Sequence, residues 1–212
     1  FRLANLVLNA LLVIVGVLVV AGVLVTPLIV EFIAPGFGAV PGKAGLTALL
    51  ARIMFPFLLI VSLSAVAMGM LNSLRHFGVP AFAPVFFNLG MIAAGFVICP
   101  LFDPPIIGMA VGVLLGGLAM WGFQAPALRR EGYRYRPEVS FRDPGVRRII
   151  ALMTPAVFGL ASTQVNIFVN TVIASYLSQG SISYLNYSYR LMFFPLGVFG
   201  VLGNHDHWED AP

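Results

Sequence analysis

Residues 3–30, LANLVLNALLVIVGVLVVAGVLVTPLIV, contain no charged side chain, and their reading decides the fold. A helix needs about 20 apolar residues to cross hydrocarbon, whereas the core of a signal peptide takes only about 7–15. This run is too long for a signal peptide and has no clear small-residue cleavage site. It reads as an internal membrane helix of a chain whose N-terminus is missing, since position 1 is Phe.

The rest of the chain repeats the pattern. Of its 212 residues, 59% are hydrophobic and only 9% charged, and the mean hydropathy is +0.96. A soluble domain carries roughly 25% charged residues, so these few could not cover a globular surface in water. The predicted fold class is all-α, a polytopic membrane bundle of about six helices. The first helix lies within 3–30. A connector over 31–52 follows, carrying the breakers Pro35-Gly36 and Pro41-Gly42. Further helices are expected over about 53–74, 79–102 and up to 128. Asp103 is placed as an N-cap with Pro104 in the first turn. After the polar segment 129–148, with Asp143 and Pro144 as cap and first turn, a fifth helix extends to about 177. Its first part is expected to be amphipathic and at the membrane surface. The turn 178–181 leads to a sixth helix over 182–203.

Alternating the sides puts Arg2, Arg75 and the seven arginines of 129–148 on one face, against Lys43 and Arg52 on the other. This positive-inside bias makes 129–148 cytoplasmic. It also accounts for the pI near 9.6 without nucleic acid, because the arginines can anchor to anionic membrane lipids. Cys99 is the only cysteine, which excludes an internal disulfide and multi-Cys metal sites; beside Pro100 it reads as a buried, inert thiol.

Polar residues inside apolar helices are the candidate sites. Thr163, Gln164, Asn166, Asn170 and Thr171 fall within about half the circumference of the fifth helix at 100° per residue. Such a face must look at other helices or at a wet cavity, and helix packing and cavity lining both fit. Arg190 sits about seven residues into the sixth helix, roughly 10 Å along it. Snorkelling to the interface and an anion site, since guanidinium forks match phosphate oxygens, are both open. Gly108, Gly112 and Gly116 form a small-residue face for close helix contact, and Pro195 with Gly197 and Gly200 could make a flexible point. No nucleophile–base pair, phosphate loop or acid cluster points to an enzyme, and no cofactor or metal is expected. His205 and His207 have metal-like spacing but no framework to hold an ion.

RIMFPFLL at 52–59, AMGMLNSL at 67–74 and FGVPAFAPV at 77–85 with Asn88 resemble the MviN/MurJ family. MTPA at 153–156, YLNYSYRLM at 184–192 and FPLGVFG at 194–200 resemble it too. The resemblance runs to about Val201. It implies a piece of a bacterial inner-membrane lipid II flippase of the multidrug/oligosaccharidyl-lipid/polysaccharide exporter superfamily, working by alternating access. These helices would then be the third to eighth of fourteen in two lobes. Residues 1–128 would belong to the first lobe, 129–148 to the inter-lobe linker and 149–203 to the second. The remaining helices would be partners absent from this chain. Arg190 matches the family's cavity arginine on the eighth helix, which faces the anionic headgroup; the expected substrate-binding set is Arg190, Asn166, Asn170, Gln164 and Thr163. Some relatives carry an acid where Asn170 stands, associated with cation binding; here the side chain is neutral. A related exporter of another lipid-linked glycan or of drugs, or a non-transporting fragment, shares most of these features. The polar end 204–212 departs from the family and reads as the result of a frameshift, truncation or misassembled gene.

Overall fold

The structure, a computed structural model, describes residues 1–140, 142–178 and 180–203, with the backbone alone for Ser162 and 194–203. The tail, with His205 and His207, lies outside the described residues. Among the described residues seven α-helices follow one another: α1 (Arg2–Ile33), α2 (Lys43–Met54), α3 (Phe57–Ser73), α4 (Gly78–Val97), α5 (Ile106–Arg130), α6 (Pro144–Ser175) and α7 (Ser181–Gly203). Short 3-10 turns at Pro35–Ala39 and Cys99–Leu101 join α1 to α2 and extend α4. There is no strand among the described residues.

Five helical spans are long and apolar enough to cross a membrane: Arg2–Ile33, Lys43–Ser73 (α2 and α3 together), Gly78–Leu101, Ile106–Arg130 and Pro144–Ser175. The 23 residues of α7 make a sixth of sufficient length. The surface agrees. The chain exposes 14519 Å², where a compact soluble protein of 22.8 kDa would expose roughly 9,600 Å². Much of the excess is large and apolar, as at Leu24, Phe96, Phe158 and Leu191. Only hydrocarbon or other helices can cover such a surface without a large hydrophobic penalty.

Three expectations need correction. The connector read over 31–52 ends at Gly42, whose φ of 76° closes the turn after Pro41. KAGLTALLARIM has no proline and is rich in Ala and Leu, which outweigh the single Gly45, so the helix starts at once. Arg52 therefore lies inside a span. Asp103 is not a helix cap either. α5 begins at Ile106 behind Pro105 and has no side-chain cap. Pro104 precedes another proline, which disfavours the helical region at Pro104 and pushes the start downstream. At α6, by contrast, Asp143 accepts a 2.8 Å bond from the Gly145 N–H and Pro144 is the first helical residue, as the sequence predicts. α6 runs unbroken for 32 residues. Cys99 is half-buried rather than buried.

α3 lies between α1 and α5, and α4 lies along α5. The closest approach is α4 on α5, where the expected glycine face does the packing. A methyl placed at Gly116 would lie 2.7 Å from the Phe87 carbonyl oxygen, one at Gly108 would lie 2.6 Å from Cys99 Cα, and one at Gly112 would strike the Ala94 methyl. Ala67, Met70, Leu71 and Leu128 form a buried cluster where α3 meets α5. α6 meets the rest of the bundle near its two ends. Gly145 lies against Leu3, Phe168 stacks on Phe32 at 5.1 Å, and the Gly36 N–H donates to Ser175 Oγ at 3.1 Å. Residues 150–161 and 163–167 between these contacts are exposed.

Gly116→Val should drive α4 from α5 and cost about 1–3 kcal/mol by overpacking. It should lower the thermal midpoint of the detergent-solubilised protein. Gly122→Val, where a new side chain meets nothing within 4 Å, is the control expected to leave the midpoint unchanged.

Candidate functional site

The polar stripe of α6 faces α7 over part of its length. The Asn170 side-chain amide donates to Asn166 Oδ1, one helical turn earlier, and to the Tyr189 hydroxyl on α7, both at 2.6 Å. An amide has two N–H donors, and here each has an acceptor. Beside this junction is a cavity of about 430 Å³ lined by Thr163, Asn166 and Thr171 from α6 and by Asn186, Tyr189 and Phe193 from α7, among others. The Thr171 and Asn186 side chains turn back to carbonyls of their own helices, those of Ile167 and Ile182. What remains is a wall of neutral polar side chains interspersed with Ile167, Leu185 and Phe193, able to donate and accept hydrogen bonds, with no charged residue lining it among the described residues.

The predicted residues divide accordingly. Thr163 and Asn166 line the cavity, and Asn170 braces its wall through Tyr189. Gln164 is exposed and outside the lining. Arg190 is exposed as well and follows Tyr189 in sequence, so it is turned about 100° around α7 from the residue that meets α6. Because α7 begins at Ser181, Arg190 stands nine residues into it, roughly 14 Å along the axis.

Asn5 and Asn9 were not among the predicted residues. They lie one turn apart on α1 and are 3% and 4% exposed. The extended segment after α5 docks on them. Asn5 Nδ2 donates to the Arg134 carbonyl at 3.1 Å, and Asn9 Nδ2 donates to the carbonyls of Arg136 and Glu138 at 2.7 and 3.0 Å. In return Asn5 Oδ1 accepts from the Tyr133 hydroxyl at 2.7 Å and the Arg136 N–H at 3.1 Å, and Asn9 Oδ1 accepts from the Tyr135 hydroxyl at 2.7 Å. Burial, and to a lesser degree the neighbouring Tyr135, holds the Tyr133 phenol above the ordinary tyrosine range. A signal was available in two Asn at i, i+4 in an otherwise apolar helix, but nothing local names their partner. Under the docked segment is an apolar cavity of about 690 Å³ lined by Leu8, Leu63, Met70 and Trp121, with Arg129 and Arg134 also lining it.

The family model described as Lipid II flippase MurJ matches residues 2–202. The chain belongs to the MurJ family. A probable lipid II flippase MurJ of Vibrio cholerae is 43% identical over 164 residues, covering 77% of this chain and 31% of the relative. One of Haemophilus influenzae is 44% identical over 154 residues, covering 73% and 30%. The lipid II flippase MurJ of Burkholderia cenocepacia is 39% identical over 160 residues, covering 74% and 31%. This MurJ-family chain spans about a third of the length of those curated relatives. Its helices and its family place it in the bacterial inner membrane.

Three outcomes are expected from these contacts. Asn9→Ala removes the acceptor of Tyr135 and the donor to two carbonyls, which should cost about 1–3 kcal/mol. Limited proteolysis should then cut within 133–138 faster than in the unsubstituted protein. Because the raised pKa of Tyr133 disfavours its phenolate in the docked state, docking should be at full strength below pH 10 and weaken as pH rises above it. Ultraviolet titration of the Tyr133→Phe variant against the parent isolates that late-titrating phenol. Tyr189→Phe should loosen α6 from α7 by about 0.5–1.5 kcal/mol, read as a lower thermal midpoint.

Proposed function

We propose that this chain is the middle part of a transporter that carries lipid-linked peptidoglycan precursor, lipid II, outward across the inner membrane by alternating access. The observation that carries this reading is the family match over residues 2–202. Relatives bearing the name are transporters, and a binding or transport role suits a polar α6–α7 wall better than catalysis does. In this reading residues 1–128 belong to the first lobe, 129–148 are the cytoplasmic linker, and 149–203 open the second lobe. The arginines of the linker hold to anionic lipid headgroups by charge. The helices beyond this chain complete the cavity.

Arg190 is then the contact to the pyrophosphate. It is exposed, and among the described residues no carboxylate pairs with it; a guanidinium in hydrocarbon costs at least about 2.5–3.5 kcal/mol on insertion scales unless something offsets it. A phosphate oxygen pair would offset it with two parallel charge-assisted bonds. Thr163 and Asn166 supply neutral polar contacts from the cavity wall that Asn170 braces, around the helix from the Arg190 face, and Gln164 supplies another from outside that lining.

The test is genetic. The full-length protein carrying Arg190→Ala should fail to support growth after depletion of the host's lipid II flippase, while accumulating in the membrane at the parental level. Arg190→Lys, which keeps the charge but loses the fork, should support it partly. Normal growth with Arg190→Ala removes that role, and transport of another lipid-linked glycan with none of lipid II in vesicles removes the substrate.

A further inference from the structure

Arg52 lies far from α7 and has no place in the proposed site. Its setting begins with Pro27 inside α1. A proline has no N–H, so the carbonyl four residues earlier, that of Val23, loses its helical donor. In hydrocarbon no water can take the donor's place. The Thr26 hydroxyl is close, but its one proton lies nearer the Gly22 carbonyl, 2.6 Å away against 3.1 Å to that of Val23. The second donor comes from the next span: Arg52 Nε donates to the Val23 carbonyl at 3.3 Å.

The packing brings them together. A methyl at Gly22 would run into the Phe55 ring, so α1 and the α2–α3 span approach closely one turn from Arg52. Val23 stands fourteen residues beyond Asn9, where the linker docks on α1, or roughly 21 Å along the axis. Against about 30 Å of hydrocarbon, that places the pair inside the span, in the third farthest from the linker. A guanidinium retained at this depth needs a partner. Arg52 also lines a cavity of about 480 Å³ with Glu31, Pro27, Ala48 and Leu49, which leaves room for the rest of the guanidinium.

We propose that Arg52 is a positioning residue that closes the hydrogen-bond gap Pro27 opens in α1 and so fixes α1 against the α2–α3 span. The inference rests on the membrane placement of these helices and not on the identity of the substrate. Replacing Pro27 by Ala restores an N–H to the Val23 carbonyl, which makes Arg52 redundant for this purpose. The experiment is a double-mutant cycle in the full-length protein, reading membrane accumulation and the thermal midpoint in detergent for Arg52→Met, Pro27→Ala and the pair. Arg52→Met, which has no donor, should lower the midpoint by several degrees alone and by less than half as much when Pro27 is Ala. Arg52→Gln, whose side-chain amide puts an N–H where Nε stands, should lose less than Arg52→Met. If Arg52→Met fails to accumulate, recovery in the pair supports the proposal. Equal losses in both backgrounds, no loss in either, or no recovery in the pair while Pro27→Ala accumulates normally would overturn it.

Discussion

Inside hydrocarbon an unpaired polar group cannot fall back on water, and this constraint governs every other feature of the chain. It makes the spans helical, because a helix pairs its own backbone. It also puts pressure on each polar side chain within a span to find a partner, which most do, although Ser64 Oγ and Gln124 Oε1 are buried without one among the described residues. Thr26 and Arg52 attend to the carbonyls around Pro27. Asn170 divides its two donors between Asn166 and Tyr189. Asn5 and Asn9 take up backbone groups of the segment after α5. These contacts tie one helix to another, so the sparse polar groups organise what the abundant apolar ones cannot specify.

Apolar side chains specify little here because lipid tails are as apolar as leucine, and helix association depends on close fit instead. The fit is densest where α5 presents glycines to α4, backbone against backbone. It is sparsest along α6, which is held near its two ends by Leu3, Phe32 and Gly36 and exposed between them. The segment after α5 belongs with the first group of helices through its contacts on Asn5 and Asn9. A transporter that rocks one lobe against another would use such a division, with firm packing within a lobe and limited contact between lobes.

Much of this was legible in the residue order. The apolar runs located the long helices, the arginines grouped one set of ends, and the glycine spacing on α5 announced a contact face. Asp143 and Pro144 marked the start of α6. The motifs around 52–59, 67–85 and 184–200 carried the family. Legibility failed where the outcome depended on competition between neighbouring breakers. Pro104 and Pro105 shifted the start of α5, and a run rich in Ala and Leu that outweighs Gly45 moved Arg52 from a connector into a span.

The α6–α7 polar face was half legible. The α6 stripe was visible because periodicity is a property of one helix. The partner of Asn170 was not, because three tyrosines lie along α7 and only the rotation of one helix against the other brings Tyr189 to the amide. The same rotation turns Arg190 away from the cavity that Thr163 and Asn166 line. The sequence by itself determined that this chain crosses a membrane as helices, which end carries the positive charge and which family it belongs to, since those follow from hydropathy, charge count and motif order along one dimension. Tertiary structure alone decided which polar groups meet. Asn5 with the Arg134 carbonyl, Arg52 with the Val23 carbonyl and Asn170 with Tyr189 are pairings between segments far apart or separately placed in the chain, and their geometry depends on how the helices pack and turn against one another.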